Sequence, residues 1–96
     1  AIQNYKTYLD KNPKDADARV DMGVCYFNLK DFSNAIKEME TALKHVPNHQ
    51  IALLNLGVVN LSAGNVEKSK QWLKKAVELN PTNGVGTKAE QLLNNH

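Results

Sequence analysis

The sequence predicts an all-α protein built as a solenoid of antiparallel helix pairs, with about six helices in 96 residues. Its prolines Pro13, Pro47 and Pro81 follow one another at intervals of 34 residues. Gly23 and Gly57 are separated by the same interval. A fixed period of this size is typical of stacked helix pairs rather than of a single interwoven core. We therefore expect one domain over the whole chain, divided into repeats.

Each of the two complete units, residues 14–47 and 48–81, contains two segments of helical length. Asp31 and Asn65 are natural N-caps for the second segment of each unit, and Gly64 suits a left-handed position just after a helix. Both units close on an X-Pro bond, which disfavours helix in the residue before the proline. The sequence therefore predicts helix–turn–helix twice.

The two ends continue the same phase. Residues 1–13 are predicted to be the second helix of a truncated repeat, and residues 82–96 a C-terminal capping helix. Their apolar residues at helical spacing are Ile2, Tyr5, Tyr8 and Leu9 at the start and Val85, Ala89, Leu92 and Leu93 at the end. The chain begins without a methionine or a signal-type segment, so we expect it to be a fragment of a longer protein.

Charge and composition give no reason to expect a polyanionic partner. The formal net charge is only +2, and no apolar stretch approaches the roughly 20 residues that span a bilayer. We therefore expect a soluble domain without nucleic acid binding or direct membrane contact. The compartment is not fixed by the sequence, although the cytoplasm is favoured. The single cysteine, Cys25, is expected to be a small buried side chain rather than a reactive thiol.

Two series of residues share a common spacing. They are Arg19-x2-Met22-Gly23-x2-Tyr26, Ala35-x3-Met39, Ala42 and Pro47, and then Leu53-x2-Leu56-Gly57-x2-Asn60, Ser69-x3-Leu73, Ala76 and Pro81. This pattern resembles the tetratricopeptide repeat (TPR) motif W-x2-L-G-x2-Y, A-x3-F, A and P. The resemblance covers nearly the whole chain and implies a right-handed α-solenoid that acts as a protein-binding scaffold. Asn60 replaces the motif tyrosine and would need a hydrogen-bond partner if buried.

The segment "LLNLGVVNL" (residues 53–61) is predicted to be a helix with two apolar stripes. One stripe, with Gly23 and Gly57 at its centre, is expected to pack on the second helix of its own repeat. The other lies roughly a third of a turn away. The resemblance implies that this second stripe lines a concave groove for a partner peptide or helix. The predicted groove residues are Asp17, Val20, Asp21, Val24, Phe27, Asn28, Ile51, Leu54, Asn55, Val58, Leu61 and Ser62.

Two alternatives to a groove site remain open. Some stripe residues could be plain core, because neighbouring helices of a solenoid bury part of each first helix. The chain could also be a structural spacer or a self-assembling segment of a longer solenoid. In that case copies would associate head to tail through residues 1–12 and 83–96, with the Leu92/Leu93 stripe of one copy on the Ile2/Tyr5/Leu9 stripe of another.

Other chemistries lack the residues they require. The carboxylate clamp of chaperone-binding TPR proteins is not expected, because valine or alanine stands at most of its basic and amide positions and Asn55 alone fits. No nucleophile–base set or glycine-rich phosphate loop occurs, so neither catalysis nor a cofactor is expected. Pro47 separates His45 from His49, which argues against a shared metal site. The lysines of residues 68–75 are read as a solvated face, and Trp72 as packing against the C-terminal helix.

Overall fold

The computed structural model describes residues 1–95, which form six helices and no strand. The helices are α1 (Ile2–Lys11), α2 (Ala16–Asn28), α3 (Phe32–His45), α4 (Gln50–Ser62), α5 (Val66–Leu79) and α6 (Gly84–Asn94). The predicted all-α class is therefore confirmed. The repeat boundaries at residues 14–47 and 48–81 stay predictions, and His96 of the predicted capping segment lies outside the described residues. None of the helices in residues 1–95 is long and apolar enough to cross a membrane.

The helices α2, α4 and α6 begin at capping residues that are themselves 34 positions apart. Asp15, His49 and Asn83 each accept a hydrogen bond from the backbone N–H three residues later. Each bond satisfies one of the amide groups that the first helical turn leaves without a partner. Asp31 caps α3 in the same way, as predicted, whereas Asn65 begins α5 without a capping bond from its side chain.

The turn inside each repeat contains a left-handed residue. Gly64 has a φ of 87°, as the sequence predicts, and Lys30, one period earlier, has a φ of 62°. A lysine in this region is strained relative to glycine because its Cβ approaches the backbone carbonyl. The repeat geometry therefore holds Lys30 in a conformation that its own side chain disfavours.

The helices form two layers of unequal spacing. Cα atoms of α2 and α4 approach within 8 Å, as do those of α4 and α6, whereas no such approach joins α1 to α3 or α3 to α5. The layer of α2, α4 and α6 is therefore the tighter one, and the stack curves around it. This makes its outward surface the concave face of the solenoid.

Glycines allow the helices of each pair to approach closely. A Cβ built on Gly23 would lie 3.0 Å from Met39 Cγ, and one on Gly57 would lie 2.4 Å from Leu73 Cδ2. The predicted packing of this stripe on the second helix of its own repeat is confirmed at both positions. The buried Ser69 hydroxyl donates a 2.7 Å hydrogen bond to the Gly57 carbonyl, which ties α5 to α4 at the point of closest approach.

The same stripe also packs on the preceding repeat, which the sequence did not indicate. Met22 lies with Leu9 and Ala18 in a buried cluster between α1 and α2. Met22 therefore makes a contact with the preceding outer helix that the sequence does not predict. The reason is geometric, since an inner helix of a solenoid touches its own partner, the preceding outer helix and the next inner helix.

Candidate functional site: the concave face

Val20 is part of the core and not of the groove floor, contrary to the prediction. Its side chain is 3% exposed and packs with Ala16, Ala42 and Ala52 where α2, α3 and α4 meet. These small alanines let the three helices approach closely enough to enclose the valine. Val20 is thus unavailable to a partner.

Val24 and Phe27 form a half-buried wall on α2. Both pack against a buried cluster of side chains from α3 and α4, which consists of Ala35, Met39, Leu56 and Val59. The Phe27 ring also meets the Phe32 ring, with centroids 5.8 Å apart and planes tilted by 43°. This anchoring fixes the orientation of both side chains, and their outer edges remain on the surface.

The apolar side chains of α4 are the most available part of the predicted site. Val58 and Leu61 are partly exposed and lie outside the buried clusters of the described residues. Ile51 is 50% exposed, whereas Leu54 is partly buried against the cluster that contains Leu53 and Leu73. Exposed apolar surface of this kind, on the inner row of a solenoid, is typical of an interaction site.

Polar side chains border this apolar strip. Asp21, Asn28 and Ser62 are exposed, and Asn55 is partly buried. The fifth polar member, Asp17, is exposed but not free, because its carboxylate accepts a 2.5 Å hydrogen bond from the ring of His49.

The sequence does not predict the contact that His49 makes between α2 and α4. Its Nδ1 accepts the Ala52 N–H at 3.1 Å to cap α4, so its Nε2 carries the proton that is donated to Asp17. One ring thus joins the first turns of two successive inner helices. The recurrence of capping residues at positions 15, 49 and 83 was a readable signal for its role in the cap.

Asn60 has the hydrogen-bond partners that its burial requires. It is 1% exposed, its Nδ2 donates to the Leu56 carbonyl at 2.8 Å, and its Oδ1 accepts from Asn65 Nδ2 at 3.3 Å. Residues 53–61 are helical throughout. The polar interruptions of this segment therefore point to separate places, with Asn60 in the repeat interior and Asn55 on the border of the concave face.

The end stripes proposed for head-to-tail association are largely used within the chain. Leu92 and Leu93 pack on the buried cluster of α4, α5 and α6, and Leu9 is buried between α1 and α2. In α2 and α4 the stripe that carries Gly23 and Gly57 packs on the second helix of the same repeat. The corresponding face of α6 is exposed and polar, with Thr87, Glu90, Gln91 and Asn94. Self-association stays a prediction, but its predicted surface is much reduced.

Tyr8 and Asp15 make a surface hydrogen bond at a cleft of about 620 Å³ between α1 and α2. The Tyr8 hydroxyl lies 2.6 Å from Asp15 Oδ2. This bond, aided by the Ala18 N–H, holds the pKa of Asp15 below its ordinary value of 3.8. The same bond raises the pKa of Tyr8 above 10.0.

The sequence also makes predictions for two further side chains, Cys25 and Trp72. Cys25 is partly exposed rather than buried. Trp72 packs on two buried clusters, one that includes Leu53 and Leu73 and one that includes Ala35 and Met39, so its packing against the C-terminal helix stays a prediction. Within residues 1–95 no three His, Cys, Asp or Glu side chains converge as metal ligands.

A family model described as tetratricopeptide repeat matches residues 1–39 and 29–84. The chain belongs to the tetratricopeptide repeat family. The resemblance drawn from the motif spacing is thereby confirmed, and the family and fold support a protein-interaction module and scaffold rather than an enzyme.

Among curated proteins, the chain is similar to BBSome complex member BBS4. It is 36% identical to the Bos taurus protein and 34% identical to the Mus musculus protein, in each case over 83 residues or 86% of this chain. The match covers only 16% of the length of either relative.

Solved structures share the fold. The first TPR of Spaghetti (RPAP3), bound to the HSP90 peptide SRMEEVD, has a TM-score of 0.90 at 23% identity and covers 99% of this chain and 75% of its own. YrrB, a TPR protein with an unusual peptide-binding site, has a TM-score of 0.86 at 25% identity, covering 95% and 47%. MamA has a TM-score of 0.81 at 19% identity, covering 97% and 63%.

Proposed function

We propose that the concave face of α2 and α4 binds a peptide or a helix of a partner protein. The observation that carries this proposal is the exposure of Val58 and Leu61, which no buried cluster of the described chain uses. Together with the edges of Val24 and Phe27 they make an apolar strip bordered by polar side chains. A helix inserts apolar residues into such a strip at i, i+3 or i+4, and i+7.

The strength of binding follows from the size of this strip. A fully buried leucine-sized anchor contributes about 1.5–3 kcal/mol. Association and side-chain ordering oppose that gain, so a few anchors give an affinity on the order of micromolar. We therefore expect a reversible contact that operates within a larger assembly.

Membership of an assembly is consistent with the relatives. The BBS4 proteins are members of the BBSome complex, and YrrB carries a peptide-binding site. Since this chain spans about 16% of the length of the BBS4 relatives, the partner and process of the parent protein are part of the proposal. The alternative, a spacer without a binding surface of its own, predicts that the concave face can be altered without consequence.

Peptide selection from a random library against the purified domain, followed by titration calorimetry, tests the proposal. Val58→Asp should weaken the selected peptides by about 10- to 100-fold, which corresponds to one lost anchor. Val46→Asp is the matched control, because Val46 is 42% exposed at the C-terminal end of α3, in the outer layer. Both variants should retain the helicity of the parent. Equal binding by parent and Val58→Asp would reject the groove and favour the spacer.

A further inference from the structure

The outer layer of the solenoid carries an apolar cleft that the concave-face proposal does not use. The cleft lies between α3 and α5, with a volume of about 450 Å³. Buried Leu53 of α4 forms its floor, and Leu43 and Trp72 form its sides. Leu79, which is 42% exposed, forms its lip. Because α3 and α5 do not approach each other, this cleft opens on the convex side of the molecule.

The equivalent place in the preceding repeat has a different chemistry. A cleft there is lined by Leu9, Pro13, Arg19 and Glu38, which precede Leu43, Pro47, Leu53 and Trp72 of the apolar cleft by 34 residues each. Its centre holds an ion pair, because Arg19 Nη1 lies 3.0 Å from Glu38 Oε1. Arg19 also donates to the Pro13 carbonyl through Nε and Nη2.

The first repeat therefore folds without an apolar cleft at this position. A polar pair serves the first repeat, whereas the second repeat places a leucine and the only tryptophan of the chain at the same two positions. Trp72 remains partly exposed, although tryptophan is a side chain enriched at the centres of protein interfaces.

The charge beside the cleft indicates which partner it suits. Lys75 Nζ lies over the Trp72 ring, 5.0 Å from its centroid, so its ammonium group is next to the aromatic surface of the cleft. Two charged side chains line the cleft, the basic Lys75 and the acidic Glu78. Helix α5 as a whole has four lysines and two glutamates, so the helix carries a net positive charge. In residues 1–95 the ion pairs within 4.0 Å are Arg19–Glu38 and His49–Asp17, so no lysine of α5 is neutralised by an ion pair.

We propose that this convex cleft docks an acidic segment of a partner protein that carries one bulky apolar anchor. The anchor, a phenylalanine or a leucine, inserts beside Trp72 and displaces water from the cleft. Flanking carboxylates of the partner lie against Lys75 and the other lysines of α5. The site is separate from the concave face, so a longer solenoid could hold two partners on opposite sides.

Trp72 provides the probe for the test. A short synthetic peptide with a central phenylalanine among glutamates is titrated into the domain, and Trp72 fluorescence is read alongside calorimetry. Lys75→Glu and Leu79→Glu should each weaken binding by about tenfold or more, on the scale of one lost charge contact or apolar contact. Lys6→Glu is the matched control, because Lys6 lines the polar cleft of the preceding repeat. Circular dichroism checks that each variant is folded.

Two changes in the peptide test the apolar anchor and the negative charge separately. Replacing its phenylalanine with alanine, or its glutamates with lysines, should abolish the fluorescence change. Binding that survives either replacement, or that is unaffected by both Lys75→Glu and Leu79→Glu, would overturn the proposal. An oligonucleotide of equal charge that binds as tightly as the peptide would also overturn it, since the lysines alone would then suffice. Val58→Asp should leave this binding intact, which separates the convex site from the concave one.

Discussion

The same substitution at Gly23 and Gly57, one period apart, should be tolerated at the first position and destabilising at the second. A Cβ at Gly57 would lie 2.4 Å from Leu73 Cδ2 and 2.6 Å from Cγ. Favourable carbon–carbon contacts are about 3.5–4.0 Å, so Leu73 or the spacing of α4 and α5 must shift by roughly 1 Å. Leu73 is 1% exposed and enclosed by its cluster, which leaves it little room to move.

The magnitude follows from two opposing effects. Overpacking a core costs about 1–3 kcal/mol, while alanine in place of glycine returns about 1 kcal/mol of helix propensity. Gly57→Ala should therefore lower the free energy of unfolding by about 1 kcal/mol. At Gly23 the nearest atoms are Cγ and Cε of Met39, at 3.0 and 3.1 Å. Methionine adapts more readily than leucine, but the backbone oxygen of Ala35 lies 3.3 Å away and cannot yield, so Gly23→Ala should be close to neutral.

Urea unfolding followed by circular dichroism and by Trp72 fluorescence measures both changes. The two probes should agree in each variant, and the two variants should differ by about 1 kcal/mol. If Gly57→Ala were as stable as the parent protein, or if Gly23→Ala were the more damaging change, the close approach of α4 to α5 would be misassigned.

Three further predictions concern the turns, the surface pair and the groove. Lys30→Gly should raise the free energy of unfolding by about 0.5–1 kcal/mol, because relief of the strain at positive φ exceeds the entropy cost of glycine. Gly64→Lys should lower the free energy of unfolding by a similar amount in the same urea assay. Tyr8→Phe should raise the pKa of Asp15 towards 3.8 in an NMR titration. A carboxylate whose pKa is depressed on folding stabilises the folded protein at pH values above its unfolded pKa, and this stabilisation is lost as the pH falls. Acid unfolding of Tyr8→Phe should therefore begin at a higher pH than acid unfolding of the parent protein. An unchanged Asp15 pKa would contradict this. A peptide with a free C-terminal carboxylate should bind no better than its amidated form in calorimetry, because valine or alanine stands at most of the basic and amide positions of the carboxylate clamp. A clear preference for the free acid would contradict this prediction.

Most of the fold was predictable because it follows from local signals that recur with the period. The prolines end α3 and α5, Asp31 caps α3, and Gly64 supplies the left-handed turn. Even the positive φ of Lys30 could have been read from its position one period before Gly64. The glycines of the pair-forming stripe likewise indicated which helices approach closely.

The site was less predictable because burial of a stripe depends on the size of residues on other helices. Val20 is enclosed since Ala42 and Ala52 allow α3 and α4 to approach it, whereas Val58 in the next inner helix stays on the surface. The two valines belong to the same predicted stripe but lie one turn apart within the repeat, because the equivalent of Val20 is Leu54 and that of Val58 is Val24. The Asp17–His49 bond joins residues 32 positions apart, and no local pattern signals it.

The position of a bound peptide on the domain tests the central claim most directly. With a peptide selected from the random library, methyl NMR spectra of the valine, leucine and isoleucine side chains report which apolar groups it touches. The concave site predicts that the methyl groups of Ile51, Val58 and Leu61 shift on binding, while those of Leu9, buried between α1 and α2, do not. Shifts confined to side chains outside α2 and α4 would contradict it.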